Sequence, residues 1–225
     1  MPLIEFICNV PSQLEEILNF EADNLVNDLK NKKRFYRSFG LTLSKQYPVS
    51  KYSTTNYCRD SIERTDALLH WIKSIYPNHD FFQMQINSMD PGQIYPVHVD
   101  THLFHQHATR LHIGIKNNQN CEYIEFFKSN GCWDKKIYNI ENFKLYEFDN
   151  SIPHSVHNKN QSNRVNIVID VIEKKLLDSR DDWKKIEKDK VQRMEDIERE
   201  FIQIPELYIY TLNNLKQRLL NNELN

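Results

Sequence analysis

The sequence predicts a mainly β protein with flanking helices, an α+β chain, and three features of its pattern lead to this prediction. Helical periodicity marks the N-terminal part, short β-rich runs fill residues 81–172, and helical periodicity returns from residue 173 onward. Several short strands with regular turn signals are typical of an antiparallel sandwich or barrel. The 225 residues fit one domain with an appendage, so we expect a main domain over residues 1–172 and a helical extension over residues 173–225.

Two amphipathic helices are predicted before the β-rich segment. In the first, over residues 11–29, Ser12 is a candidate N-cap and Glu15 occupies the capping-box position. Its apolar stripe consists of Leu14, Ile17, Leu18, Leu25 and Leu29. The second helix is predicted over residues 61–75, and Pro77 ends it. Its inner face consists of Ile62, Leu68, Leu69, Ile72 and Ile75.

Seven strands are predicted in the β-rich segment, because β-branched and aromatic residues are concentrated between turn residues. The predicted strands cover residues 82–89, 94–99, 110–115, 123–127, 136–140, 144–148 and 165–172. The turn residues are Asp90-Pro91-Gly92, Asn117-Asn118, Ser129-Asn130-Gly131 and Asp149-Asn150. The predicted β core therefore spans about residues 81–172.

Two further helices are predicted in the C-terminal part. The first covers residues 181–201 and is highly charged, Pro205 interrupts the pattern, and a last amphipathic helix covers residues 207–220. Three roles are open for these helices: a solvated face, a lid, or a contact in a homodimer. A solvated face is the commonest meaning of a charged helix.

Composition excludes several classes of protein. The formal net charge is −2 and the pI is about 6.5, so no basic excess indicates a nucleic-acid partner. The start has no basic segment followed by an apolar one, and no run approaches the roughly 18 apolar residues that a membrane span needs. Four cysteines lie far apart without a CxxC pair, which indicates reduced thiols in a cytoplasmic protein.

The strongest chemical signal is the pair His98 and Asp100. On a strand, residues two apart point to the same face, so this imidazole and this carboxylate would be aimed together into the mouth of the barrel. His154 is the candidate for a third ligand, with His157 as its competitor. Two histidines and one carboxylate form the facial triad of non-haem iron(II) oxygenases, which leaves coordination positions open.

Nine histidines make a chance HxD followed by a later histidine common, so Arg164 adds the decisive information. It lies ten residues after His154, at the start of an alternating run that is predicted as a strand. That position would place a guanidinium inside the same barrel, where its fork suits a bidentate grip on a carboxylate.

Together these residues resemble the signature of 2-oxoglutarate-dependent oxygenases, and more narrowly the aspartyl/asparaginyl β-hydroxylase family, which includes bacterial proline hydroxylases. The resemblance covers about 85 residues, from 87 to 171. The segments that carry it are 90–98 (DPGQIYPVH), 110–115 (RLHIGI), 148–156 (FDNSIPHSV) and 164–171 (RVNIVIDV). It implies a double-stranded β-helix core of the jelly-roll or cupin-like type, and a dioxygenase domain over residues 1–172.

The resemblance also implies a role for each matching residue. His98, Asp100 and His154 would hold Fe(II), and the position of His154 in the motif favours it over His157. Arg164 would hold the C5 carboxylate of 2-oxoglutarate. Arg110 and His112 match an RxH element that lines the site, where we expect contact with the C1 carboxylate of 2-oxoglutarate or with a substrate carboxylate. Independently of the resemblance, the position of His102 just after the His98–Asp100 pair predicts that it lines the entrance for the substrate or lies in solvent.

The predicted reaction couples oxidative decarboxylation of 2-oxoglutarate by O2 to hydroxylation of a C–H bond, with ascorbate as a supporting reductant. The expected substrate is a free amino acid, or an Asp, Asn or Pro residue in a peptide. Two alternatives stay open: a cupin-like metalloenzyme that does not use 2-oxoglutarate, and a non-enzymatic ligand-binding barrel. Arg164 discriminates the hydroxylase from the cupin-like alternative, because a cupin has no particular need for this arginine. An inert protein that fails to bind iron would support the non-enzymatic alternative.

Overall fold

The computed structural model describes residues 2–32, 38–41, 58–59, 65–98 and 108–176. Within these ranges the chain forms two α-helices, α1 (Ser12–Lys32) and α2 (Thr65–Ile75), and a 3-10 turn over Lys174–Leu176. The other elements are the strands β1 (Ile4–Asn9), β2 (Ser38–Leu41), β3 (Cys58–Arg59), β4 (His79–Met89), β5 (Ile94–His98), β6 (Ala108–Lys116), β7 (Cys121–Ser129), β8 (Cys132–Asn139), β9 (Lys144–Phe148), β10 (His154–Asn158) and β11 (Arg164–Glu173). The chain is therefore mainly β, as predicted.

The described strands form two sheets. The large sheet has the order β1-β9-β6-β11-β4-β2-β3, and the small sheet has the order β5-β10-β7-β8. All pairings are antiparallel except that of β2 with β3. From β4 to β11 the chain passes back and forth between the sheets, with only β7 and β8 adjacent in both sequence and sheet. Strands distant in sequence thus become neighbours, and β11 lies between β6 and β4.

One face of the large sheet packs on the two helices. The alternating residues Val165, Ile167, Ile169 and Val171 of β11 are almost completely buried on this face. They belong to one apolar cluster with Leu14 and Leu18 of α1 and with Leu68, Leu69 and Ile72 of α2. Because successive side chains of a strand point to opposite faces, the residues between them point toward the small sheet. The helices thus cover one face of β11 and leave the other for a cavity.

A second apolar cluster lies at the opposite face of the large sheet. It joins residues of both sheets and of the N-terminal segment, namely Leu3, Ile4, Met89, Cys121, Tyr123, Ile140, Tyr146, Phe148 and Val156. Four of these, Met89, Tyr123, Phe148 and Val156, are also part of the cavity wall. The packing that joins the two sheets therefore also shapes one side of the cavity.

The predicted elements agree with the structure except at their ends and in four places. The first helix is confirmed and extends to Lys32, and the second is observed from Thr65, since residues 61–64 lie outside the described residues. All seven predicted strands exist, although β8 begins at Cys132 instead of residue 136. Strands β1, β2, β3 and β10 were not predicted. The predicted C-terminal helices lie outside the described residues.

Strand β10 was missed because its sequence, HSVHN, is polar and follows Pro153. It becomes a strand through its central position, between β5 and β7, where partners on both sides satisfy its backbone groups.

In the described part of the chain, no helix is long and apolar enough to cross a membrane.

His79, at the start of β4, makes stability depend on pH. Burial lowers the pKa of His79, and its buried Nδ1 has no hydrogen-bond partner in the described structure. The folded state therefore favours the neutral ring, so acidification below the unfolded pKa of about 6.5 should cost stability. We expect the urea midpoint to fall between pH 7.5 and pH 5.5, and to fall less in His79→Gln. An equal fall in both proteins would contradict this assignment.

Candidate functional site

A cavity lies between the two sheets, and polar side chains line it from both. The large sheet contributes Gln85, Asn87, Arg110, His112, Arg164 and Asn166. The small sheet contributes the polar side chains of Tyr95, His98, Tyr123 and His154, together with the apolar Val156. A concave site with a few convergent polar groups is the usual form of a ligand site.

His98 and His154 meet on the small-sheet side of this cavity. They are directly opposed in the pairing of β5 with β10, although 55 residues separate them in the sequence. Their ring centroids are 4.2 Å apart at an angle of 54° between the ring planes. His154 is almost fully buried at 3% exposure. The structure therefore brings together two of the three predicted metal ligands.

The turn before β10 fixes the orientation of His154. Asp149 accepts hydrogen bonds from the backbone N–H of Ser151, at 3.0 Å, and from its hydroxyl, at 2.6 Å. The Nδ1 atom of His154 lies 2.7 Å from the carbonyl oxygen of Ile152. Because a carbonyl only accepts, Nδ1 must carry the proton, and the neutral ring then has its lone pair on Nε2. This is the tautomer that a histidine uses when Nε2 binds a metal.

Asp100 and His102, the predicted third ligand and entrance residue, lie outside the described residues. In the described ranges, which omit residues 99–107, no group of three or more His, Cys, Asp or Glu side chains is placed to hold a metal. His157, the competitor of His154, is three residues farther along β10 and does not line the cavity. Its odd offset from His154 puts it on the opposite face of the strand.

Arg164 is buried in the cavity wall among uncharged partners. It is 4% exposed, and its Nε donates to Oδ1 of Asn118 at 2.9 Å. Nη1 lies 3.4 Å from Sδ of Met89, and Nη2 donates to the hydroxyl of Tyr123. We call Asn118, Met89 and Tyr123 the neutral cage. Burial lowers the pKa of Arg164, but a guanidinium stays charged in proteins.

Arg110 has the opposite arrangement. Its Nε and Nη2 donate to Oδ1 and Oδ2 of Asp170 at 2.8 and 2.9 Å, a bidentate ion pair across β6 and β11. The Asp170 side chain is completely buried and that of Arg110 is 11% exposed. Arg110 thus lines the cavity with its charge compensated, and its contact with cosubstrate or substrate stays a prediction.

His112 lies on the same strand as Arg110, two residues farther along. Its ring is stacked on Phe148, with centroids 4.6 Å apart and 22° between the planes. The side-chain amide of Asn166 donates to its Nδ1 at 3.2 Å, which places the ring proton on Nε2. A protonated Nε2 can donate to an anionic ligand.

Several residues of the cavity were not predicted from the sequence. Asn166 and Asp170 lie on the same face of β11 as Arg164, so the alternation of this strand could have identified them. Asn87, opposite Asn166 on β4, has a buried Oδ1 without a hydrogen-bond partner in the described structure, and so has Asn166. Asn118 and Tyr123 carry no sequence signal, because they reach Arg164 only through the folding of a turn and a neighbouring sheet.

The class of protein follows from a comparison of the sequence with family profiles. The profile described as Aspartyl/Asparaginyl beta-hydroxylase matches residues 12–174. The predicted class, a non-haem 2-oxoglutarate-dependent oxygenase, is confirmed by this match. The chain belongs to the aspartyl/asparaginyl β-hydroxylase family. A search of curated protein sequences found no match.

Solved structures resemble the fold at low sequence identity. AviO1 from Streptomyces viridochromogenes Tue57 is 13% identical over 76% of this chain and 90% of its own, with a TM-score of 0.52. HygX from Streptomyces hygroscopicus with nickel and 2-oxoglutarate bound is 8% identical, covers 76% of this chain and 83% of its own, and has a TM-score of 0.51. Its iron-bound form is 8% identical over 76% of this chain and 82% of its own, with a TM-score of 0.50. At these identities the likeness shows the fold alone.

The Arg110–Asp170 pair should be costly to break from one side. Asp170→Asn leaves the guanidinium without its carboxylate, and we expect the free energy of unfolding to fall by about 3–5 kcal/mol. Urea unfolding monitored by tryptophan fluorescence measures the change. Replacing both partners, Arg110→Met with Asp170→Leu, should cost much less, since both members of the ion pair are removed together. The exposed pair of Lys144 with Glu141 provides the control, and Lys144→Ala should leave stability nearly unchanged. An Asp170→Asn protein as stable as the double variant would contradict the interpretation.

Proposed function

We propose that this chain is an Fe(II)- and 2-oxoglutarate-dependent hydroxylase, with the metal held by His98, Asp100 and His154. In this proposal β4 to β11 form a double-stranded β-helix, because these strands alternate between the two sheets and leave the cavity between them. The proposed catalytic domain is residues 1–172, with residues 173–225 as an extension that is a candidate for a homodimer contact.

The observation that carries the proposal is the buried guanidinium of Arg164. A buried cation is stable only when it is well paired and hydrogen-bonded. Its described contacts are the oxygen of an amide, a thioether sulfur and a phenol, and none of them is a carboxylate. An anionic group from a ligand would supply the missing charge. The C5 carboxylate of 2-oxoglutarate is such a group, and the fork of Arg164 suits it.

The histidine pair fits a metal that takes nitrogen ligands. Neutral imidazoles and one carboxylate are the donor set of non-haem Fe(II) oxygenases, and the tautomer of His154 directs a lone pair from Nε2. The carboxylate would come from Asp100, whose role rests on its spacing from His98 and on the family resemblance. HygX, which has a similar fold, has been crystallised with iron, and with nickel and 2-oxoglutarate.

When bound, the metal and 2-oxoglutarate would supply the oxidising chemistry that uses O2 and releases succinate and CO2. The residues of this chain would bind and orient. Arg164 would hold one carboxylate of the cosubstrate at the large sheet, across the cavity from the histidines. His112 would donate from Nε2 to the other carboxylate or to the substrate. Phe148, which packs against both His112 and His154, would exclude water between them.

For the substrate we propose an amino acid, either free or as an Asp, Asn or Pro residue in a peptide. The family description supports this class of substrate. Because Asp170 compensates its charge, Arg110 can donate hydrogen bonds to a substrate without requiring that the substrate be anionic. His102 would line the entrance.

The test measures binding and turnover in the same protein. Anaerobic calorimetry with Fe(II)-loaded protein should detect 2-oxoglutarate binding, and Arg164→Ala should weaken it about 30-fold or more, because a buried charge pair is lost. Succinate formation with an amino-acid panel and ascorbate should vanish in Arg164→Ala and in His154→Ala.

Matched controls separate the outcomes. His157→Ala, from the other face of β10, should retain metal binding that His154→Ala loses. An Fe(II)-loaded protein that turns over a substrate equally well with and without Arg164 would instead favour a metalloenzyme of the cupin type. A protein that binds neither iron nor 2-oxoglutarate would refute the proposed function.

A further inference from the structure

The main partners of the two cavity arginines are Asp170 and Asn118. These side chains differ only in that a carboxylate oxygen of aspartate is an NH2 group in asparagine. Arg110 is paired with the carboxylate of Asp170, whereas Arg164 is paired through Nε with the amide oxygen of Asn118. Both guanidinium groups belong to the same cavity wall. Among the described residues, the protein therefore neutralises one of these two guanidinium groups and leaves the other with uncharged partners.

The hydrogen bonds of Asn118 determine which of its atoms faces Arg164. Its side chain is completely buried. Its Nδ2 lies 3.0 Å from the carbonyl oxygen of Lys116, 2.9 Å from that of Val165 and 3.0 Å from Oδ1 of Asn142. Because these neighbours are acceptors, the NH2 group must lie on their side and Oδ1 must face the guanidinium.

The backbone around Asn118 is adapted to hold it. Asn117 has a φ of 55°, a left-handed conformation that asparagine tolerates better than most residues. Gly114 lies beside the amide, and a Cβ atom there would be 2.9 Å from Cγ of Asn118 and from the carbonyl oxygen of Glu141. Any side chain at position 114 would displace Asn118, so this glycine provides the space that Asn118 occupies.

An aspartate at position 118 would be nearly the same size and would make a stronger hydrogen bond to Arg164. It would also neutralise the guanidinium and repel an anionic ligand, and it would lose the donors that the three neighbouring oxygens require. The other described contacts of Arg164 are uncharged as well. Met89 and Tyr123 complete the neutral cage, and burial raises the pKa of the nearby Cys121 thiol, which keeps that thiol protonated.

We propose that Asn118 is a positioning residue for cosubstrate selection: it orients Arg164 while leaving the guanidinium charge available to a terminal carboxylate. This inference rests on the proposed function. It goes beyond that function by attributing the selection of a dicarboxylate to the absence of charge on Asn118, the partner of Arg164. The cavity then prefers 2-oxoglutarate over a 2-oxo acid whose far end is uncharged.

The experiment compares two ligands by anaerobic calorimetry with Fe(II)-loaded, full-length protein. The first is 2-oxoglutarate, and the second is 2-oxopentanoate, which has a methyl group in place of the C5 carboxylate. Asn118→Asp should lower the preference for 2-oxoglutarate by about tenfold or more, because the new carboxylate competes for Arg164. Asn118→Ser should lower thermal stability but keep the preference, since its oxygen is uncharged. Asn139→Asp, an exposed position on β8, controls for added charge and should keep the preference.

A second pair of variants covers the case in which Asn118→Asp does not fold. Met89→Glu adds a carboxylate beside Nη1 of Arg164, and Met89→Gln adds an uncharged group of the same size. The preference should fall in Met89→Glu alone. An unchanged preference in the charged variants would overturn the inference while the proposed function stands. Absence of 2-oxoglutarate binding to the unaltered protein would overturn the proposed function, and the inference with it.

Discussion

Strand β11 has an alternating sequence that presents one face to the helices and the other to the cavity. The helices, the cavity and both arginines depend on this strand. Val165, Ile167 and Ile169 pack on the helices, whereas Arg164 and Asp170 point the other way. A register shift of one residue would place a guanidinium and a carboxylate in the apolar core. Such a shift would cost many kcal/mol, because neither charge would have a partner there. The register of β11 against β4 and β6 is therefore fixed by burial on both faces.

The two arginines that line the cavity in the described structure are compensated differently. The charges of Arg110 and Asp170 compensate each other, so this pair contributes shape and hydrogen-bond donors without a net charge. Arg164 has donors satisfied by neutral groups and a charge that is not matched among its described contacts. Among the described residues of the cavity wall, positive charge without a carboxylate partner is thus located at Arg164. His112 adds a hydrogen-bond donor to the same cavity, because its Nδ1 accepts from Asn166 and its Nε2 therefore carries the ring proton.

The histidine pair depends on the crossing of the chain between sheets. His98 ends β5 and His154 begins β10, and these strands become neighbours only because the intervening segments return to the small sheet. The Asp149 turn and the Ile152 carbonyl then fix the ring of His154 before any ligand arrives. Preorganisation of this kind lowers the free energy that binding would otherwise spend on ordering side chains.

The sequence alone determined the mainly β class, the two N-terminal helices and seven of the strands, because these depend on local periodicity and on turn residues. It also determined the family through the combined spacing of His98, His154 and Arg164. It did not reveal β10, whose polar sequence becomes a strand through partners on both sides. Only the tertiary structure decided the partners of the arginines, Asn118 for Arg164 and Asp170 for Arg110. The physical reason is that periodicity states which face a side chain occupies, whereas the charge it meets there comes from strands and turns distant in the sequence.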